Sequence, residues 1–184
     1  YEIILISSGY SDHFKEKITA IDQSLPIIIR DDDGEGIYVA MNLGIKYSSK
    51  QYIYFSNPGD SLLQLPSIQL KADIEAFPVK VCSSAGDYLF IRYPNHPQRL
   101  MPSHQGMFVM KSCYKEIGNF DTRYNYVADL NFYLKAKKTK KIIMHNSPII
   151  AKFVLGGVSN QKKTLIYRKL ERYLCLLRNV LFRA

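Results

Sequence analysis

The sequence predicts an α/β fold in which a mostly parallel central sheet is flanked by helices. Two short apolar runs, Pro26 to Arg30 and Gln51 to Phe55, are rich in β-branched and aromatic residues and predict buried strands. Between these runs the apolar residues recur with the spacing of one helix face: Ile37, Ala40, Met41, Gly44 and Ile45. Strand, helix and strand within about thirty residues predict a right-handed βαβ unit. Both loops that follow these strands should therefore emerge at one edge of the sheet, where open α/β sheets bind ligands.

The other elements are predicted from local patterns along the chain. Tyr1 to Ile6 predicts a strand, and the turn after it leads into a helix that Ser11 or Asp12 is placed to cap. Pro66 to Phe77 predicts a helix that begins at its proline. The remaining predictions are strands at Val79–Ser83, Tyr88–Tyr93 and Gly106–Met110, a helix at Tyr126–Lys135, a basic loop at Lys137–Lys141, strands at Ile142–His145 and Ile149–Phe153, and a helix at Gln161–Arg183.

Composition and charge limit the classes of protein that the sequence can encode. The 184 residues suffice for one domain with a buried core, and no apolar run is long enough to cross a bilayer. Cys82, Cys113 and Cys175 are spaced like no metal site and predict buried thiols in a reducing compartment, the cytoplasm. The net charge of +9 is concentrated in the tail, which from Lys135 onward has 13 Lys and Arg and one acid, Glu171. Such a tail meets phosphates on lipid or nucleic acid, or is solvated.

Acidic residues follow both strands of the predicted βαβ unit. Asp31, Asp32, Asp33 and Glu35 come after the first strand, and Asp60 follows the second. Divalent Mg²⁺ or Mn²⁺ takes carboxylate oxygens as ligands and shares them with phosphates, so this edge suits a cation that carries a diphosphate. The other interpretation is structural: the aspartate run would be a solvated turn and Asp60 a helix cap.

Three blocks of sequence resemble, in the same order, the nucleotide-sugar-dependent family 2 glycosyltransferases. They are GIYVAMNLGIKYSSKQYIYFSNPGD (residues 36–60), HQGMFVMKSCYKEIGNFDTRYNYVADLNFYLKA (104–136) and FVLGGVSN (153–160). The resemblance extends to the subgroup that makes colanic acid, O-antigen and capsule. It implies a Rossmann-like, A-type domain over residues 1–160, with 161–184 as a basic amphipathic helix. The family begins with one more strand and helix, so we expect this chain to be incomplete at its N-terminus.

The resemblance also implies roles for individual residues. Asp129 matches the catalytic base of the family, and Asp60 matches the last carboxylate of its metal motif, which holds Mg²⁺ or Mn²⁺. The positions that match or border the family's donor pocket are Ser7, Asp12, Asp33, Glu35, Asn57, His104 and Gln105. Ser7 stands where the family has an aspartate, and Asn57 offers only a neutral oxygen. A single remaining carboxylate predicts a weak metal site that depends on the bound substrate.

By this resemblance we expect an inverting enzyme that moves a sugar from a UDP- or GDP-sugar to a hydroxyl of a glycan or lipid-linked sugar. The alternative is a non-catalytic glycosyltransferase-like binding domain with a decayed donor site, in which Asp129 is a helix cap and His104 a structural histidine. Binding of nucleic acid is not expected, because the aromatic residues of the tail lie on its apolar face. Gln161 to Arg183 should lie on the anionic inner surface of a membrane as a peripheral helix, or pack on the domain or on a second copy of the chain.

Overall fold

The structure, a computed structural model, describes residues 1–7, 9, 16–18, 20, 26–32, 34–155 and 164–181. The strands are β1 (Ile3–Ser7), β2 (Ile27–Asp31), β3 (Tyr52–Tyr54), β4 (Ser61–Leu62), β5 (Ile74–Ala76), β6 (Val79–Cys82), β7 (Tyr88–Arg92), β8 (Met107–Met110), β9 (Ile142–Met144) and β10 (Ala151–Val154). The helices are α1 (Ile37–Tyr47), α2 (Lys111–Ile117), α3 (Ala128–Thr139) and α4 (Leu165–Leu181), and a 3₁₀ turn spans His104–Gly106. Most predicted elements are therefore confirmed, although α2 had not been predicted.

The described strands form three groups, with the orders β1-β2, β3-β8-β5-β9 and β4-β10-β6-β7. The α/β class is confirmed, but the sheets are mixed rather than mostly parallel. β8 runs antiparallel to both β3 and β5, and the pairs β6-β7 and β4-β10 are also antiparallel. The turn between β6 and β7 is too short for the crossover connection that parallel neighbours need, so these two strands must form a hairpin.

The strand, helix and strand of the predicted βαβ unit are present as β2, α1 and β3, but among the described strands β2 and β3 belong to different sheets: β2 pairs with β1, and β3 pairs with β8. A side-chain contact ties the first strand pair to the rest of the chain. The carboxylate of Glu2 accepts hydrogen bonds from the backbone N–H groups of Ser49 and Lys50 and from the Ser49 hydroxyl. The start of β1 is thereby held to the segment between α1 and β3.

The helix predicted at Pro66–Phe77 is wrong, because the end of this segment is the buried strand β5 between β8 and β9. Glu75 in β5 is only 1% exposed. Its carboxylate accepts hydrogen bonds from the backbone N–H groups of Lys71 (2.7 Å) and Ala72 (2.8 Å) and pairs with His145. These tertiary contacts outweigh the local helix pattern.

The two C-terminal helices pack against each other. α3 continues to Thr139, so much of the basic loop predicted at Lys137–Lys141 is helical. The Asn179 amide of α4 donates a hydrogen bond to Oδ1 of Asn131 on α3 (3.0 Å), and Cys175 of α4 is fully buried. None of the described helices is long and apolar enough to span a bilayer.

The main core is formed by side chains of α1, α2 and α3 together with the sheet that contains β3, β8 and β5. Phe120, in the loop before α3, packs against Tyr38 and Phe132 with ring centroids 5.7 and 5.5 Å apart. The Asn42 side chain of α1 donates to the carbonyl of Phe120 (2.9 Å) and accepts from its N–H group (3.0 Å). These contacts bring the start of α1 next to the start of α3.

Candidate active site

A cleft of about 1330 Å³ lies between the start of α1, the turn after β3, the 3₁₀ turn and the start of α3. The predicted site residues that line it are Glu35, Asn57, Asp60, His104, Gln105 and Asp129. Asp60 and Asp129 are far apart in the sequence, yet they face the same cavity. The convergence of a predicted metal ligand and a predicted base on one cleft is the main feature of the site.

Asp129 is held at the first turn of α3 by hydrogen bonds to one of its two carboxylate oxygens. Its Oδ1 accepts from the hydroxyl of Tyr38 (3.0 Å) and from the backbone N–H of Leu130 (2.8 Å). Its Oδ2 lies 3.7 Å from Nδ1 of His104. The side chain is 23% exposed.

Tyr38 stays protonated as the partner of Asp129. Burial of its phenol, the negative charge of Asp129 and the hydrogen bond between them raise the pKa of Tyr38 far above its usual value. A phenol that keeps its proton remains a hydrogen-bond donor, so it fixes the orientation of the carboxylate without taking its role as proton acceptor.

His104 connects the two acidic parts of the cleft. Its Nε2 lies 3.0 Å from Nδ2 of Asn57, in the turn after β3, and its Nδ1 faces Asp129. With Asn57 donating to Nε2, the neutral ring would carry its proton on Nδ1 and present it to the Asp129 carboxylate. The turn that bears Asp60 and the helix that bears Asp129 are thus linked through one imidazole.

The 3₁₀ turn that carries His104 and Gln105 fits closely against the connection between β5 and β6. A Cβ atom at Gly106 would lie 2.3 Å from the carbonyl oxygen of Phe77, so a larger residue would push the turn away. The Phe77 N–H donates to the Gly106 carbonyl (2.8 Å). As a result Gln105 is buried and its side chain hydrogen-bonds to Asp60.

Asp60 is half-buried at the end of a tight turn. Gly59 has a φ of 91°, a conformation that favours glycine, and the Asp60 N–H donates to the carbonyl of Asn57 (2.9 Å). Burial raises the pKa of Asp60 above its usual value, although the hydrogen bond from Gln105 and the nearby imidazole of His104 oppose the shift. A nearby cation would stabilise the charged form of a carboxyl group that is desolvated in this way.

The residues around Asp60 fit a cation only if a substrate supplies further ligands. Within the described ranges, no group of three or more His, Cys, Asp or Glu side chains is arranged to hold a metal ion. Asp60 and the amide oxygen of Asn57 are the oxygen donors that the turn offers. This set suits Mg²⁺ or Mn²⁺ brought in with a diphosphate, since Mg²⁺ is commonly bound by one or two carboxylates plus substrate phosphates.

The other predicted donor-pocket residues are less well placed or lie outside the described residues. Ser7 ends β1, opposite Asp31 in the strand pair, and is not among the residues that line the cleft. Asp12 and Asp33 lie outside the described residues, as does the Gly-Gly-Val-Ser segment at 156–159. Glu35 is exposed at the rim.

Two features of the site were missed by reasoning from the sequence. Tyr38 lies in the recognised Gly-Ile-Tyr string, but its partner Asp129 is 91 residues away, and no local pattern reports that contact. The second feature is a cationic wall, formed by Arg92, Arg99, Arg168, Lys169 and Arg172. The uneven charge of the sequence indicated a basic tail but did not indicate that part of it faces the cleft.

The chain is related in sequence to mycobacterial enzymes, although no protein-family model matches it. A protein of Mycobacterium bovis and one of Mycobacterium tuberculosis, both named PGL/p-HBAD biosynthesis glycosyltransferase, are each 24% identical to it over 177 residues. The match covers 87% of this chain and 68% of each relative.

Solved structures share the fold. TarS of S. aureus in complex with UDP matches with a TM-score of 0.63 and 13% identity over 84% of this chain, and the complex with UDP-GlcNAc matches with 0.63 and 12% over 86%. The chain spans about half the length of these TarS chains, 51% in both. The shared fold agrees with the one implied by the three sequence blocks. Together with the sequence similarity to mycobacterial proteins that are named glycosyltransferases, this likeness supports a place for the chain among the glycosyltransferases.

Proposed function

We propose that the chain forms the catalytic site of a family 2, inverting glycosyltransferase that uses a UDP- or GDP-sugar and a sugar hydroxyl as its acceptor. The observation that carries the proposal is that Asp60 and Asp129 line one cleft and are connected through Asn57 and His104. In the reaction, the acceptor oxygen attacks the anomeric carbon and the bond from that carbon to the diphosphate breaks. The proton of the acceptor hydroxyl passes to a base of the protein.

Asp129 is the base in this proposal, and its two oxygens have separate tasks. Oδ1 is occupied by Tyr38 and the Leu130 N–H group, which hold the carboxylate in place. Oδ2 remains to accept the proton from the acceptor hydroxyl. His104, 3.7 Å from Oδ2, stabilises the negative charge of Asp129 before the transfer.

Asp60 belongs to the donor side of the cleft. The residues that would hold a divalent cation are Asp60 and Asn57, and Gln105 fixes the Asp60 carboxylate by a hydrogen bond. When bound, Mg²⁺ or Mn²⁺ neutralises charge on the leaving diphosphate. UDP and UDP-GlcNAc in the TarS structures support a uridine nucleotide as the first donor to test.

The acceptor is proposed to be a glycan or lipid-linked sugar that the protein meets at a membrane surface. Several apolar side chains of α4 are exposed, among them Ile166, Leu170 and Tyr173 at 76%, 55% and 60%. Lys169 and Arg172 are interspersed with them on the same helix and are also exposed. Exposed apolar and basic residues together suit an anionic lipid surface.

The test is nucleotide binding and donor turnover measured on the same protein. We expect calorimetry to show binding of UDP or GDP that strengthens with Mn²⁺, and membrane extract, as the source of acceptor, to stimulate release of UDP from UDP-GlcNAc. Asp129→Asn should keep nucleotide binding and lose most of this release. Absence of binding at millimolar UDP and GDP would instead support the non-catalytic binding domain. If Asp129→Asn released UDP as fast as the wild type, Asp129 would not be the base.

A further inference from the structure

We propose that the cleft contains a separate anion subsite, formed by the guanidinium groups of Arg92, Arg99 and Arg172, which binds a phosphate group carried by the acceptor. The inference rests on the proposed function and deepens it, because it names the chemical class of the acceptor. All three residues line the cleft that contains Asp60 and Asp129.

The three arginines come from separate parts of the chain. Arg92 ends β7, Arg99 is in the loop that follows, and Arg172 is on α4. Arg92 donates a hydrogen bond to the hydroxyl of Ser103 (3.4 Å), and its guanidinium lies over the ring of Phe153 with 5.4 Å to the centroid. These contacts fix Arg92 beside the 3₁₀ turn, while Arg99 and Arg172 remain exposed to an incoming ligand.

The positive charge of this group is not neutralised within the described part of the chain. None of the three arginines forms an ion pair with a carboxylate there. Desolvation and the charge of Arg99 lower the pKa of Arg92 to about 10, and desolvation and the charge of Arg172 lower the pKa of Arg99. The positive charges of these neighbouring arginines repel one another, and a bound anion would reduce this repulsion.

The position of Arg172 indicates the acceptor side of the cleft. Glu171, the residue before Arg172, accepts hydrogen bonds from the backbone N–H groups of Asn125 (3.0 Å) and Tyr126 (2.8 Å), just before α3. Arg172 is therefore tied to the wall that carries Asp129, whose proposed partner is the acceptor hydroxyl.

The chemistry of three guanidinium groups favours phosphate over a neutral sugar. Each group offers paired N–H donors that match phosphate oxygens, and its charge does not depend on pH in the physiological range. A lipid phosphate and a phosphate group within a polymer present the same oxygens. The two sources differ only in the apolar tail that accompanies the phosphate.

Calorimetric titration in saturating UDP and Mg²⁺ tests the subsite without knowledge of the natural acceptor. The probes are n-hexyl phosphate and inorganic phosphate, with n-hexyl β-glucoside as the neutral match. We expect the phosphates to bind and the glucoside not to bind. The double variant Arg99→Gln/Arg172→Gln should weaken phosphate binding about tenfold or more and leave UDP affinity unchanged.

Arg30→Gln is the matched control, because Arg30 lies on β2 against the ring of Tyr47 (4.7 Å) and is outside the lining of the cleft. Its phosphate affinity should stay within about twofold of the wild type. The single variant Arg99→Gln repeats the test if the double variant unfolds at a lower temperature. Stronger binding of hexyl phosphate than of inorganic phosphate supports a lipid source, and equal binding supports a polymer.

Competition with UDP decides between the two sides of the cleft. Displacement of the phosphate probes by UDP would overturn the proposal, because the arginines would then hold the donor diphosphate. Unchanged phosphate affinity in the double variant would overturn it as well. If the protein did not bind UDP, the proposed function would be contradicted but the phosphate subsite would not, because phosphate binding is also measured without nucleotide.

Discussion

The two carboxylate oxygens of Asp129 have different surroundings. Among the described residues, Oδ1 accepts two hydrogen bonds, from Tyr38 and from Leu130, whereas Oδ2 faces His104 at 3.7 Å. A base whose orientation is fixed through one oxygen loses less entropy when its other oxygen meets the acceptor. Tyr38 therefore acts as a positioning residue through Asp129.

Tyr38→Phe should reduce turnover while sparing donor binding. Loss of one hydrogen bond to a charged group corresponds to roughly 1.5–3 kcal/mol, so we expect kcat to fall about tenfold or more. The KM for the donor nucleotide should stay near the wild-type value, because the phenol contacts the base. Steady-state kinetics of UDP release, with both substrates varied, measures this split.

Tyr54→Phe is the matched control for this prediction. The Tyr54 hydroxyl is buried, has no hydrogen-bond partner among the described residues and lies near Asp60 rather than Asp129, so its removal should not disturb the base and should leave the melting temperature unchanged or slightly raised. If both Tyr→Phe variants lost the same activity, the effect of Tyr38→Phe would be general and the positioning role would be wrong.

Asp60→Asn should separate stability from metal-dependent binding. Burial raises the pKa of Asp60, which means that the folded state disfavours its charged form. At neutral pH the neutral amide should therefore raise the melting temperature, while the gain in UDP affinity on addition of Mn²⁺ is lost.

The pH dependence of the wild type provides the check on Asp60. Its Mn²⁺-dependent gain in UDP affinity should decline as the pH falls through the raised pKa, since a cation needs the charged carboxylate. Calorimetry in a pH series measures the gain for both proteins. If Mn²⁺ increased the UDP affinity of Asp60→Asn as much as that of the wild type, the cation would bind elsewhere.

The sequence was informative about these residues to different degrees. Asp60 and Asp129 were found through the resemblance, and both face the cleft. The roles of Tyr38 and Arg92 could not be predicted, because each depends on contacts with distant parts of the chain. Burial and charge of a side chain are set by the tertiary fold, which local spacing does not report.

Among the elements, β5 depends on a buried ionisable pair. Burial acts to raise the pKa of Glu75. The hydrogen bonds from His145 and from the backbone N–H groups of Lys71 and Ala72 nevertheless hold this pKa below its usual value. Because the folded pKa lies below the unfolded one, these bonds stabilise the fold above the unfolded pKa. Their contribution is lost as the pH falls through the lowered folded pKa.

Glu75→Gln should destabilise the fold at pH 7 by about 1–3 kcal/mol, because one oxygen cannot replace both acceptors of the buried carboxylate. Its stability should also vary less with pH below about 4.5 than that of the wild type. Urea unfolding at several pH values measures both effects. Glu116 is an exposed acid paired with Lys140, so Glu116→Gln should change the free energy of unfolding by less than about 1 kcal/mol. An equal loss of unfolding free energy in both variants would contradict the role of the buried Glu75 carboxylate.

The elements predicted correctly are those whose burial matches their local pattern. On the predicted apolar face of α1, Met41 and Ile45 are buried as the periodicity indicates, whereas Ile37 is 46% exposed and Tyr38, which lies outside that face, is buried. The segment at 66–77 has a similar mixture of apolar and polar residues, but its Glu75 is buried and satisfied by His145 across β9. A polar residue whose partner is 70 residues away gives a misleading local signal.

At the scale of the whole molecule, strand direction was the least predictable property. Apolar runs indicated strands correctly, but they did not indicate that β8 runs antiparallel to both β3 and β5, because a long connection such as the one before β8 permits either direction. The division into residues 1–160 and 161–184 stays a prediction. α4 packs on α3 and its Arg172 lines the cleft, so the tail takes part in the site.

The outer side of α4 carries a group of exposed apolar side chains. Ile166, Tyr167, Leu170 and Tyr173 are 76%, 65%, 55% and 60% exposed. Exposed apolar side chains of this density mark an interaction surface. Lys169 and Arg172, which also line the cleft, border this surface on the same helix, and a basic border favours an anionic bilayer as the partner.

We therefore expect the chain to sediment with vesicles that contain anionic phospholipid and not with vesicles of phosphatidylcholine. Binding should weaken as salt is raised, because each Lys or Arg near the surface contributes about 1 kcal/mol of electrostatic attraction. The variant Ile166→Ser/Leu170→Ser removes two exposed apolar side chains without altering charge and should reduce binding, whereas Leu62→Ser, exposed on β4, should not. Analytical ultracentrifugation without lipid tests the alternative occupant: a wild-type dimer that the double variant converts to a monomer, together with no vesicle binding, would mean that α4 packs against a second copy of the chain.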